Sequence, residues 1–314
     1  MRIDHYDDFD WQGLLDSIGA DIAPLLTHGE VANYIPALAA VDPESFAMAF
    51  VNLRGETFTT GRASTPFSIQ SISKVFALIL ALELEGEALW DRVGREPSGT
   101  AFNSIVQLEE DHGVPRNPLI NAGAIVVTDS IVGHCGESTA IARLLAFIRK
   151  AANSLGPRID MKVAESEEAY GDRNRALAYF MKSFGILKED VPIVLKAYFQ
   201  QCAIAMSTVD LARAGLFLAN GGTDPATGLE LTTKTRTDRL NAIMMMCGHY
   251  DMSGDFAFSV GLPGKSGVGG GILAIIPQVG SVAVWSPRLN QAGNSLAGTQ
   301  ALQWFSERSQ VTLF

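Results

Sequence analysis

Histidine and cysteine are scarce in this chain. Its 314 residues include five histidines (His5, His28, His112, His134, His249) and three cysteines (Cys135, Cys202, Cys247). Neither set shows HxxxH, HxH or CxxC spacing, so no zinc-type ligand set can be read, and no metal or cofactor is expected. An odd number of widely spaced cysteines points to reduced thiols. The opening MRIDHYDDFDW has no apolar core and so is not an export leader, which makes a cytoplasmic protein the expectation. Basic runs are also missing. Lysine plus arginine is 24 against 34 acidic residues, a formal charge of −10, which argues against nucleic acid as a partner. The strongest apolar run, residues 75–82, is closed by Glu83. It is too short for a bilayer, which takes about 20 residues, so no membrane partner is expected either. A hydrolase built from such a chain must make its nucleophile from side chains alone.

With 47% apolar and 18% charged residues, the chain can fill a core and is no disordered segment. No repeat divides it, and its length suits one catalytic unit, residues 1–314. Residues 11–26 place Trp11, Leu14, Leu15, Ile18 and Ile22 at helical spacing. Residues 45–60 predict a hairpin turning at Arg54-Gly55. Residues 71–90 predict one long buried helix, and the pattern stays helical to about 250, with loops at 115–118 and 220–228. Short runs rich in Val, Ile and Phe at 256–260, 271–276 and 281–285 predict strands, and 295–309 a last helix. The economical arrangement is a mixed α/β (α+β) fold. An antiparallel sheet is drawn from both termini (1–65 and 255–314) and flanked by helices, with a mainly helical subdomain (66–254) inserted. The site is expected in the cleft between them.

Ser71 and Lys74, in Gln70-Ser71-Ile72-Ser73-Lys74, are three apart and share a face if helical. A serine at a helix start lies by the positive end of the dipole. A lysine walled by Val75, Phe76 and Leu78 loses hydration, and its pKa falls from about 10.4 toward neutrality. The neutral amine can then take the serine proton. On these residues alone, a capping serine and a solvated lysine stand ahead of that reading. A second feature shifts the balance: Lys265-Ser266-Gly267-Val268-Gly269-Gly270-Gly271 precedes a strand. Its glycines allow close backbone approach, and a main-chain N–H there can serve an oxyanion hole, although a plain glycine-rich turn fits equally well. The two together resemble the serine β-lactamases and penicillin-binding proteins. Their middle motif, SxN or YxN, is absent. The likeness is therefore of fold and nucleophile, not of substrate.

A wider set of motifs resembles the serine-dependent, β-lactamase-like glutaminases of short bacterial type, over nearly the whole chain. They are Tyr34-Ile35-Pro36, residues 66–71 with Lys74, Glu96-Pro97-Ser98-Gly99, Asn117-Pro118 with Asn121-Ala122-Gly123-Ala124-Ile125, and Gly171-Asp172-Arg173-Asn174. The set closes with Tyr198-Phe199-Gln200, Tyr250-Asp251 with Ser253-Gly254, Gly261-Leu262-Pro263, and Lys265 to Val268. The resemblance implies that Ser71 is the nucleophile and Lys74 its base. Tyr250 passes protons to leaving ammonia, with the shares of Tyr34 and Lys74 left open. The N–H groups of Ser71 and Val268 form the oxyanion hole. Tyr34, Gln70, Asn121, Glu167, Asn174 and Tyr198 hold L-glutamine. Glu167 is placed by counting seven back from Asn174, with Glu168 alongside. The likeness also implies a homo-oligomer, dimer or tetramer. Two other readings stay open: a different β-lactamase-like esterase or peptidase, and an inactive amino-acid-binding protein. The methionine run 244–246 reads as core packing, and Cys202 and Cys247 as buried apolar residues.

Overall fold

The computed structural model describes residues 6, 8–98 and 105–314. His5, the opening residues 1–5 and Gly99 lie outside them. The N-terminal part comprises α1 (Trp11–Asp21), β1 (Glu30–Val31), α2 (Pro36–Ala39), β2 (Ala47–Asn52), β3 (Thr57–Gly61) and β4 (Phe67–Ser68). Then come α3 (Ser73–Leu84), α4 (Val106–Glu110), α5 (Asn121–Cys135), α6 (Glu137–Ala152), β5 (Arg158–Ile159), α7 (Met161–Ala169), α8 (Asp172–Ser183) and α9 (Val191–Cys202). The chain continues through β6 (Ile204–Met206), α10 (Thr208–Ala219), α11 (Lys234–Cys247) and α12 (Ser253–Ser259). It closes with β7 (Gly264–Ser266), β8 (Gly271–Ile276), β9 (Gly280–Trp285), β10 (Arg288–Leu289) and α13 (Leu296–Ser309).

The main sheet is antiparallel, ordered β3-β2-β9-β8-β7, with β7 at an edge. Alternate side chains serve two cores. Ala49, Leu273, Ile275 and Ala283 join the helices, among them α10. Met48, Phe50, Ile272, Val282 and Val284 pack on Trp11, Leu15, Leu302 and Phe305 of the terminal helices. With both faces covered, β2, β8 and β9 are buried along their whole length, which explains their unbroken apolar runs. The hairpin turns as expected at Arg54-Gly55, where Asn52 Oδ1 accepts the Arg54 and Glu56 N–H groups. Among the described residues no single helix is long and apolar enough to cross a membrane.

Several elements depart from expectation. Residues 256–260 are not a strand but lie in and after α12: Phe256 and Val260, four apart, are buried on one helical face, while Phe258 is 96% exposed. The helix expected over 71–90 is broken. It begins with a 3-10 turn, Gln70–Ile72, and α3 ends at Leu84. Gly86 at φ +69 then turns the chain into a second 3-10 stretch, Gly86–Asp91. The stretch expected to be helical holds a small sheet, β4-β6-β5, of strands too short to show a period. Of the methionine run only Met244 is core; Met246 is exposed.

Candidate active site

A cavity of about 200 Å³ opens where the 3-10 turn at Gln70–Ile72, α5, α7, α8 and α9 meet the segment after β7. Tyr34, Gln70, Ser71, Asn121, Glu167, Asn174, Tyr198 and Val268 all line it. Its size is below the roughly 300–1,000 Å³ of drug-sized sites, so it suits a small solute.

Local constraints explain the placement. Gln70 holds φ +49, a strained region for a residue with a Cβ, which aims the turn so that Ser71 faces the cavity. The glycines after β7 let the backbone press on that turn. A Cβ at Gly267 would lie 2.5 Å from Ile69 O and 3.3 Å from Ser71 N, and one at Gly269 only 2.2 Å from Ser68 O. This contact brings Val268 to Ser71. Its N–H finds no hydrogen-bond partner among the described residues. At the start of α5, Asn117 Oδ1 accepts the N–H groups of Leu119 and Ile120, and a Cβ on Gly123 would meet Asn117 O at 1.9 Å. The close fit of loop to helix aims Asn121 inward. Rather than capping α5, Asn121 accepts from Lys74 Nζ at 2.8 Å and donates to Asn174 Oδ1 at 3.0 Å.

Lys74 is buried, 1% exposed, and also donates to Leu119 O at 3.2 Å. Burial lowers its pKa to about 8, against the raising pull of Cys202 and Glu167. Glu167, 7% exposed, is the carboxylate that reaches the cavity, while Glu168 is exposed. Burial raises Glu167 to about 7, and the Gln70 amide and the charge of Lys74 pull the other way. Tyr250, outside the cavity lining, is buried at φ +57. Burial raises its pKa to about 12, and the neighbouring Ser71 and Ser266 hydroxyls oppose that rise. Ser253 Oγ secures the turn by donating to Tyr250 O and accepting from His249 N. Burial likewise raises the phenols of Tyr34 and Tyr198, although Tyr34 stands at the mouth with 52% of its surface exposed.

The sequence reading also missed residues. Ile35, Tyr170, Arg173 and Cys202 line the cavity. Cys202 follows Tyr198 by one helical turn, and that spacing could have revealed it. Burial raises its thiol to about 12, so it stays a thiol, as expected of a buried apolar residue. Lys265, which opens the glycine-rich run and lies on the edge strand β7, is fully buried. It donates to Gly248 O at 3.0 Å and Ser266 O at 2.6 Å, and its Nζ stands 4.5 Å over the Tyr250 ring.

Fold and site together define a hydrolase of the β-lactamase-like class. A family model described as glutaminase matches residues 29–314. The glutaminase of Rhizobium rhizogenes (strain K84 / ATCC BAA-868) is 55% identical over 305 residues, 97% of this chain and 99% of that protein. The glutaminase of Agrobacterium fabrum (strain C58 / ATCC 33970) gives the same figures. Among solved structures, the probable glutaminase ybaS superposes with a TM-score of 0.91 at 36% identity, covering 98% of this chain and 99% of that one. A probable glutaminase from Bacillus subtilis complexed with 6-diazo-5-oxo-L-norleucine gives 0.89 at 31% identity, covering 98% of both chains. The chain belongs to the glutaminase family, and its activity is that of an amidohydrolase.

Proposed function

We propose that the chain hydrolyses L-glutamine to L-glutamate and ammonia through a γ-glutamyl ester on Ser71. One observation carries this reading: a small cavity has a serine on one wall and a buried carboxylate on another, with a desolvated lysine behind. Glutamine carries an α-ammonium, an α-carboxylate and a neutral amide. Glu167 suits the ammonium, because charge-assisted hydrogen bonds are the strong ones. Asn121 and Asn174 amides and the Tyr34 and Tyr198 hydroxyls can donate to the α-carboxylate without adding charge. Gln70, on the cavity wall and donating to Ser68 Oγ at 3.0 Å, bears on that end by lowering the Glu167 pKa. With both charged groups held, the amide carbon is delivered to Ser71.

Lys74, neutral above its lowered pKa, takes the Ser71 proton as the oxygen attacks. The N–H groups of Ser71 and Val268 receive the developing oxyanion, each donor contributing about 3–4 kcal/mol to the transition state. Tyr250 passes a proton to the leaving nitrogen, ammonia departs, and water activated by the same base releases glutamate. In this reading the site lies where the sheet part (1–65 and 255–314) meets the helical part (66–254). The protein is taken to be cytoplasmic and a homo-oligomer. The family likeness and three unpaired thiols support these last two points, and light scattering tests the assembly.

Ser71→Ala should abolish ammonia release from glutamine with the melting temperature kept. A diazo-ketone analogue of glutamine should label Ser71 alone. Retained turnover, or an adduct mapped by mass spectrometry to another residue, would refute the assignment.

A further inference from the structure

Behind Tyr250 lies a residue that touches neither cavity nor substrate. Asn294, 2% exposed, sits in the loop between β10 and α13. Its Oδ1 accepts from Ser266 Oγ at 2.5 Å, and its Nδ2 donates to His249 O at 3.3 Å. These partners fix the amide, because a carbonyl can only accept and so must face the NH₂ group. The loop holds Asn294 from behind: its N–H donates to Asn290 Oδ1 at 3.1 Å, and its carbonyl accepts from Asn290 N at 2.8 Å. The preceding Gly293, at φ +86, lies against both site residues. A Cβ there would stand 3.7 Å from Val268 Cγ1 and 3.8 Å from Tyr250 Cε2.

We propose that Asn294 is a positioning residue that holds the Tyr250 phenol in register with Ser71. The amide ties the peptide entering Tyr250, through His249 O, to the Ser266 hydroxyl at the end of β7. It thereby keeps Tyr250 in a backbone conformation that must be held by its surroundings. A serine hydroxyl has one proton, and Asn294 takes that of Ser266. Held there, the phenol hands its proton to the leaving nitrogen and regains one from Lys74, which took it from Ser71. One proton moves from oxygen to nitrogen, and the phenol ends unchanged. Gly248 O, at 3.4 Å from Ser266 Oγ, is the weaker alternative for the Ser266 proton, so losing Asn294 weakens the arrangement without abolishing it.

This inference deepens the reading of Tyr250 given above, and its test separates the two. Asn294→Ala and Asn294→Asp are compared with wild type on glutamine and on a γ-glutamyl aryl ester, whose leaving aryloxide needs no proton. In Asn294→Ala, kcat on glutamine should fall about 10-fold or more, within the range of general acid catalysis, with KM nearly unchanged. On the ester kcat should fall less than about 3-fold, because the lost step is not needed there. Asn294→Asp keeps an acceptor for Ser266 and should lie between. Equal losses on both substrates, or none on either, would overturn the proposal. Melting curves guard against misfolding. If wild type itself released no ammonia, the failure would lie in the functional reading and not in the role of Asn294.

Discussion

Lys74 and Glu167 make opposite demands of the same burial. Desolvation disfavours either charge, so it lowers the lysine to about 8 and raises the glutamate to about 7. Catalysis needs Lys74 neutral to take a proton, and substrate binding needs Glu167 charged to hold an ammonium. Both conditions improve as pH rises. The profile of kcat/KM should therefore climb through about 7, as Glu167 ionises, and again through about 8, as Lys74 loses its proton. Glu167→Gln keeps the shape and removes the charge, so it should raise KM strongly and erase the lower step while leaving the upper. Steady-state kinetics from pH 6 to 9 check this, and a flat wild-type profile would contradict it.

At the scale of elements, the decisive contact is between the end of β7 and the turn that carries Ser71. Gly267 passes so near this turn that a Cβ would collide with Ile69 O. Gly267→Ala must push the backbones apart and separate the two N–H groups assigned to the oxyanion. The expected loss in kcat is about 10²–10³-fold, the usual cost of one donor, with KM moved far less. Wild-type kcat in a variant of normal thermal stability would remove Val268 from the oxyanion hole. Neither half of this contact was legible alone, since a capping serine or a plain glycine-rich turn fits each; the two motifs together pointed to it. The hairpin, β8, β9 and α13 were legible because each carries a local signal: a turn at Arg54-Gly55, runs rich in Val and Ile bounded by Gly and Pro, or a cap, Ser295 Oγ accepting from Gly298 N. What stayed hidden depends on tertiary contact. The strands β4 to β6 have too few residues for a pattern. Phe256 and Phe258, two apart, suggest alternation until burial of Phe256 with Val260 reveals a helix. Asn294 stands in no motif with Tyr250 and meets it only through folding.

The whole molecule depends on a charge cluster away from the cavity lining. Arg92 joins Glu85 (2.7 Å), just past α3, to Asp129 (2.6 Å) in the middle of α5, and it donates to Ile186 O. Asp129 also accepts the N–H groups of Lys188 and Glu189, in the loop leading to α9. The helices tied here are those that bring Lys74, Asn121 and Tyr198 to the site. All three charged side chains are less than a tenth exposed, so removing the cation leaves two carboxylates buried. Arg92→Met should cost about 3–5 kcal/mol at pH 7, measured by urea unfolding. Burial tends to raise the Glu85 carboxyl, but Ser130, Arg92 and Lys188 together hold it below its ordinary value. A carboxylate with a lowered folded pKa contributes stability at neutral pH and loses it as pH falls through that range. Wild type should therefore lose this part of its stability on acidification. The variant, lacking the cation, has less to lose, and the gap between the two should narrow from pH 7 to pH 4. A gap that stayed constant would show that packing of the arginine stem, and not its charge, joins these helices.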